Sequence, residues 1–340
     1  MPAEGLPIGL SEPAYLRIDS NMPRLSLSSL TPGVIPQTSP RCRYFHLDTR
    51  FLTSSLSDTL DSDRPESTMA DAPVTVEYKS NGIAIVTLNQ PKKLNALNQD
   101  GYFQLAVALR EVAERDDIYI TVLTGKGRFF SAGADVSIGA SSTGTDSARQ
   151  HWLKNFVASN LHITHAFYTH PKILVTALNG PAVGLSAALI AFSDFIYAAP
   201  HAFLLTPFSS LGLVSEGNAS VGFVRRLGIS KANEALIMSK RIGIEDLVQT
   251  GFVNKVVDVG GRDKSEEFLG EVLKEVDDRL GAHLNRESLV KIKALIRKPE
   301  IETLDRQGVL EVFAGLDRFI KGVPQEEFRK IASGEKKHKL

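Results

Sequence analysis

The sequence predicts an α/β protein with a helical C-terminal region, and three observations carry that prediction. From Val74 onward, short β-branched runs alternate with segments of helical length. Two apolar strand-like runs lead directly into glycine-bearing loops, at residues 125–135 and 179–185. After residues 254–258 the pattern turns helical. With 340 residues, 43% of them hydrophobic, the chain has ample material for a large core.

The first 68 residues hold 8 of the 16 prolines, 11 serines and no lysine, with neither a helical nor a strand period. Such a segment buries too little apolar surface to offset its ordering entropy, so residues 1–68 are expected to be a disordered extension. The folded protein is then expected to begin at Met69. Six arginines against eight acidic residues argue against a transit peptide. Next, residues 74–79 alternate, and Asn81-Gly82 supplies a hairpin turn into the strand at 83–88. A helix is expected over 98–115, a buried strand over 118–124 and a small-residue loop over 139–147. Further helices are predicted over 151–168 and 182–192, and strands over 173–178, 195–198 and 202–205. The helical region is expected to comprise segments near 266–280, 286–297, 301–320 and 325–332. This divides the chain into a core over 69–262 and a helical region with a tail over 263–340.

Composition excludes several classes of function. Lys plus Arg (39) equals Asp plus Glu (39), which argues against a broad nucleic-acid surface. A single cysteine, Cys42, excludes an intrachain disulfide and a cysteine-based zinc site. The longest apolar stretch, 182–192, is far shorter than the roughly 20 residues of a spanning helix, so no membrane span is expected.

The chemistry-bearing segments are the two glycine loops. Phe129-Phe-Ser-Ala-Gly-Ala-Asp135 follows a buried strand, and Asn179-Gly-Pro-Ala-Val-Gly-Leu185 opens a helix of small and apolar residues. Both leave backbone N–H groups uncrowded, and a helix N-terminus adds a partial positive charge. Two such donors aimed at one point would make an oxyanion hole. Gly125-Lys126-Gly127 satisfies neither the Walker pattern nor the dinucleotide fingerprint, so phosphate-loop readings fail.

Ser131-Ala-Gly-Ala-Asp135, the run Asn179-Gly-Pro-Ala-Val-Gly-Leu-Ser-Ala-Ala-Leu189, and Asp194 resemble the signature segments of the crotonase superfamily of enoyl-CoA hydratases and isomerases. Asn89-Gln-Pro-Lys-Lys-Leu-Asn-Ala-Leu97 is similar to its opening motif, and Leu211-Gly-Leu-Val-Ser-Glu-Gly217 to its later active-site loop. The resemblance runs from about Val74 to Asp258. It implies a crotonase-type spiral of ββα units, a homotrimer or hexamer packed through the C-terminal helices, and an acyl-CoA thioester as ligand. Carried over by position, it implies oxyanion donors at the backbone N–H of Ala134 and Leu185. Ala132, Gly133, Asp135 and Val136 would line the substrate.

Two glutamates expected of a hydratase are absent, since the matching positions are Ala188 and Phe208. Adding water across a double bond needs groups to activate it and deliver a proton, so hydratase activity is not expected. Glu216 remains, flanked by apolar residues and two glycines. Here the resemblance is to the Δ3,Δ2-enoyl-CoA isomerase branch, whose single glutamate occupies this loop. A solvated loop acid is the plain alternative for Glu216. Asn160, amid Phe156, Val157 and Ile163, could orient that carboxylate or satisfy a nearby backbone group.

His162, His165 and His170 lack neighbouring acids and read as surface or core histidines, so no metal is expected. Arg225-Arg226 and Lys92-Lys93 read as solvated basic pairs. The C-terminal His338-Lys339-Leu340 resembles the Ser-Lys-Leu peroxisomal address, which makes a peroxisomal import receptor the expected partner and the mitochondrion the lesser expectation. The predicted function is conversion of 3-enoyl-CoA to trans-2-enoyl-CoA in fatty-acid β-oxidation by a one-glutamate proton shuttle, without a cofactor beyond the coenzyme A of the substrate. Dienoyl-CoA isomerisation and a non-catalytic acyl-CoA- or RNA-binding role stay open beside it.

Overall fold

In chain order, Val74–Tyr78 (β1) and Ile83–Leu88 (β2) precede Gln99–Ala113 (α1) and Ile120–Gly125 (β3). Ala148–Trp152 (α2) runs through a wide π-helical stretch at Leu153–Ala158 into Ser159–Tyr168 (α3). Ile173–Leu178 (β4), Ala182–Val183 (β5), Leu185–Leu189 (α4), Phe195–Ala198 (β6) and Phe203–Leu205 (β7) follow. Ala219–Leu236 (α5), Ile242–Gly243 (β8), Ile244–Gln249 (α6) and Lys255–Val256 (β9) lead to the long helices Ser265–Leu280 (α7), Arg286–Ile320 (α8) and Val323–Ala332 (α9). The computed structural model describes residues 72–135 and 147–336. The expectations for residues 1–68, for Val136, for most of the 139–147 loop and for His338-Lys339-Leu340 fall outside them.

Among the described residues, one sheet runs in the order β1-β2-β3-β4-β6-β9, antiparallel at its first pair and parallel from β2 onward. Parallel neighbours need crossover connections, and α1 and α3 supply two of them. The run Ile83-Ala-Ile-Val-Thr-Leu88 shows why both faces are covered. Ala84, Val86 and Leu88 enter the larger core, with Leu105, Leu109 and Phe167. Ile83 and Ile85 enter a second core on the other face, with Val122, Val175 and Tyr197. A strand buried on both sides reads as a continuous apolar run, as this one does. A second, smaller sheet, β5-β7-β8, carries the loop that enters α4.

Beyond residue 262 the described elements are all helices, and the first of them packs on the sheet. Phe268, Val272, Val276 and Leu280 recur every four residues along α7 and close the second core directly against the sheet. α7 is therefore part of the core, and the outlying helices are α8 and α9. The two helices expected over 286–297 and 301–320 are one, with Pro299 inside it. Proline frees the carbonyl four residues earlier, that of Leu295, and Leu295 is exposed, so water can satisfy it. The helix expected over 182–192 begins only at Leu185, because Ala182 and Val183 pair with Leu204 and Leu205 in the small sheet. Residues 219–236 and 244–249, to which no element was assigned from the sequence, are helical, with a bend at Gly228 (φ 75°, ψ 159°). No helix among the described residues is long and apolar enough to cross a membrane.

Candidate active site

The first glycine loop is shaped by two buried asparagines. Asn95, in the left-handed region at φ 56°, donates its amide to Lys126 O (2.9 Å) and Phe129 O (2.8 Å). Asn179 accepts from the Gly125 N–H at 3.1 Å and donates to Gly127 O at 2.7 Å. Buried polar groups with all partners in place hold a turn more firmly than apolar contact alone. This is the physical content of the two Asn-bearing motifs.

A chain of hydroxyls then joins the two loops. Ser131 donates to Asn95 O at 2.8 Å and accepts from the Gly133 N–H at 3.1 Å. Its own donor being used, it accepts from Ser186 (2.9 Å), which in turn accepts from Tyr102 (3.2 Å). Gly133 adopts φ 86°, and a Cβ there would lie 2.7 Å from Val183 O. Gly184 (φ 60°) turns the chain into α4, so Leu185 is the first helical residue and its N–H has no intrahelical acceptor. Among the described residues, neither the Ala134 nor the Leu185 N–H donates to a protein oxygen. Both residues line one pocket of about 640 Å³, its open mouth included.

Glu216 lines the same pocket, together with Tyr102, Asp135, Asn160 and Leu213. Gly212 (φ 67°) and Gly217 (φ 68°) turn the segment that carries it. The Asn160 amide donates to Glu216 Oε2 at 2.8 Å, and the Thr164 hydroxyl donates to Asn160 Oδ1 at 3.3 Å, which fixes the amide the right way round. Although its edge touches the pocket, the carboxyl is enclosed by protein, and burial pushes its pKa up to about 8. The negative Glu311 nearby acts in the same direction, and the Asn160 bond opposes both. Glu216 is therefore not a solvated loop acid, and Asn160 serves the carboxylate rather than a backbone group.

The structure thus gathers Ala134, Asp135, Asn160, Leu185 and Glu216 at one pocket. Ala132 and Gly133 stand behind them, with the Ala132 N–H donating to Leu94 O at 2.8 Å. The positions without hydratase glutamates have a steric counterpart. A Cβ on Gly217 would sit 3.0 Å from the Ala188 methyl, so the Glu216 loop occupies the room a longer side chain at 188 would need. Phe208 is fully packed in the core. Two minor readings change. Arg226 is not solvated but donates to Ser193 O (2.7 Å) and Phe252 O (2.8 Å), and Arg225 pairs with Glu300 at 2.7 Å. Asp194 receives the Leu174 N–H, Lys293 and Arg297, a structural role. Among the described residues, no group of His, Cys, Asp and Glu is placed to hold a metal ion.

Residues 78–278 match the family described as enoyl-CoA hydratase/isomerase. The chain belongs to that family. A Pyricularia oryzae protein named Delta(3,5)-Delta(2,4)-dienoyl-CoA isomerase is 58% identical over 276 residues, covering 78% of this chain and 98% of the relative. The 3,2-trans-enoyl-CoA isomerase of Saccharomyces cerevisiae is 35% identical over 274 residues, covering 78% of this chain and 96% of its own length. An enoyl-CoA hydratase/isomerase crystal structure from Pseudoalteromonas atlantica shares the fold, with a TM-score of 0.67 at 24% identity over 79% of this chain and all of that one. A buried acid that the sequence reading did not single out, Glu311, accepts hydrogen bonds from residues 215, 218 and 220 on either side of Glu216. Its signal was present: Leu304, Gly308, Glu311 and Gly315 share the buried face of α8, at spacings of four, three and four.

Proposed function

We propose that the protein is an enoyl-CoA isomerase that moves the double bond of a 3-enoyl-CoA to the trans-2 position. The observation that supports this best is an enclosed carboxyl, Glu216, oriented by Asn160 at a pocket shared with two backbone N–H groups that donate to no oxygen among the described residues. In this reading ionised Glu216 takes a proton from C2. The electrons of that C–H bond pass into C1–C2, and negative charge collects on the thioester oxygen as a dienolate. The same carboxyl then returns the proton to C4, the C3–C4 double bond becomes single, and C2–C3 becomes double. The N–H groups of Ala134 and Leu185 would stabilise the oxyanion, each contributing a factor of about 10²–10³. Atoms balance without an added reactant, and the chemistry asks for no cofactor other than the coenzyme A carried by the substrate.

The 58% identical relative favours a second reading, Δ3,5-to-Δ2,4 dienoyl-CoA isomerisation, in which the proton returns to C6. That is farther from C2 than C4 is, and the other acid at the pocket, Asp135, lies on the first loop 3.7 Å from Lys93. Purified protein incubated with 3-hexenoyl-CoA, 3,5-octadienoyl-CoA and crotonyl-CoA separates the readings. Conjugation of the first without hydration of the third is expected. Faster turnover of the diene than of 3-hexenoyl-CoA would replace the first reading by the second.

The titration of Glu216 gives a further expectation. Because the base must be ionised and its pKa lies near 8, kcat/KM should rise about tenfold per pH unit below 8 and level off above it. In Asn160→Ala the ionised form loses its bond, so this limb should move to higher pH and turnover at pH 7 should drop by about tenfold or more. A profile of kcat/KM against pH for both proteins checks the position and the sign.

The same proposal extends to assembly and location. Exposed Leu295, Ile296, Leu310 and Phe313 on α8 support packing of copies as a homotrimer or hexamer. The terminal His338-Lys339-Leu340 supports peroxisomal import.

A further inference from the structure

Glu311 stands in the C-terminal third of α8 and is only 5% exposed. A charge in such a place is costly unless its oxygens are bonded. Both are. One oxygen accepts from the Asn218 N–H at 2.7 Å, and the other from the Ser220 N–H at 3.0 Å and the Ser215 hydroxyl at 3.2 Å. The partners are all donors, an arrangement that suits a carboxylate and not a carboxylic acid. They also bracket Glu216 in sequence. Two of them stand at the start of α5, where unpaired N–H groups leave a partial positive charge.

The helix is shaped to receive this loop. Asn218, itself at φ 56°, donates its amide to Leu304 O at 3.0 Å. A Cβ on Gly308 would stand 3.2 Å from Asn218 Oδ1, so a larger residue would press the loop away. Arg318, about two turns beyond Glu311, donates to Gly212 O at 2.8 Å, at the other end of the segment. Residues 212–220 are thus fixed from behind by α8 while Glu216 points forward into the pocket.

We infer that Glu311 is a positioning residue for Glu216, clamping its loop onto α8 and setting, by its own charge, the field in which Glu216 takes up and releases the proton. This rests on the isomerase reading above. The ionisable groups acting on Glu216 from neighbouring elements are Glu311 on α8 and the buried phenol of Tyr102 on α1. Burial raises the pKa of Glu311 itself, and the bonds it accepts from the neutral donors Ser220, Asn218 and Ser215 oppose that rise and favour its charged form.

The test separates charge from packing. Glu311→Gln removes the charge at constant size, and Glu311→Asp keeps the charge but shortens the reach to two N–H groups. For each, the kcat/KM profile is recorded with 3-hexenoyl-CoA. The Glu216 carboxyl is also titrated directly by infrared, as the band lost in Glu216→Gln. In Glu311→Gln both measurements should move to lower pH by roughly one unit. In Glu311→Asp they should stay in place while kcat falls by about tenfold. Equal movement in the two variants, or none in either, overturns the inference. If wild-type protein turns over no enoyl-CoA but the infrared titration moves as stated, the coupling stands and the isomerase reading falls. Should Glu311→Gln not fold, Glu311→Met, of similar length and without an amide opposing the N–H groups, carries the same titration.

Discussion

Glu216→Gln is expected to lower isomerase turnover by about 10³-fold or more while leaving acyl-CoA binding nearly unchanged. Glutamine keeps the length of the side chain and can accept the Asn160 bond, so the pocket keeps its shape. What it lacks is a group able to take a proton from C2, and acid–base catalysis of this kind is worth about 10²–10⁴-fold. Equilibrium binding of a saturated acyl-CoA beside steady-state turnover separates the two effects. The substitution should also stabilise the fold in alkaline solution. The carboxyl of Glu216 has its pKa raised in the folded protein, so its favourable contribution is complete below the unfolded value of 4.5 and lost as pH rises through about 8. The Tm of Glu216→Gln should therefore exceed that of wild type at pH 9 and converge with it near pH 5. A variant with most of its turnover intact would remove Glu216 from the mechanism.

Gly133→Ala is expected to cost about 10²-fold in kcat with the far-ultraviolet circular dichroism unchanged. The added methyl meets Val183 O at 2.7 Å, and the backbone at φ 86° disfavours any side chain. Val183 also donates its N–H to Ser131 O at 2.9 Å, so the contact forces apart the two segments that carry Ala134 and Leu185. Losing the aim of one oxyanion donor typically costs about 10²–10³-fold. On the proposed mechanism the loss should fall on kcat, because both donors would bind the developing charge more strongly than the ground-state carbonyl. Stopped-flow turnover at saturating substrate, with thermal melting as the fold control, checks it.

Much of this site was legible because its motifs are local. Asn95 and Asn179 each serve the turn at 125–129, and both stood inside motifs read from the sequence. Glu216 was read from the resemblance of the 211–217 loop to a family motif, with Ala188 and Phe208 standing where that resemblance would place hydratase glutamates. Glu311 was not found: helical spacing could place it on the buried face of α8, but its partners lie 91 to 96 positions away and only the folded chain brings them together. The continuity of α8 was hidden for a different reason. Proline inside a helical pattern ordinarily marks a break, and what rescues Pro299 is exposure of the preceding turn, a tertiary fact. The strand at 182–183 was lost in an apolar run because two residues of pairing leave no period to detect.

The wide turn at Leu153–Ala158 links two duties of one rod. Trp152, just before it, stacks on Phe319 at 4.3 Å and seats the rod against the far end of α8, while Asn160, just after it, addresses Glu216. Each residue of a regular α-helix advances the azimuth by about 100°, so one additional residue in a loosened coil rotates everything downstream by about that angle. Without the expansion, a rod seated through its indole would swing the amide round to a different side. The bulge therefore acts as a phase adjuster, letting anchorage and aim be tuned separately along a single continuous backbone.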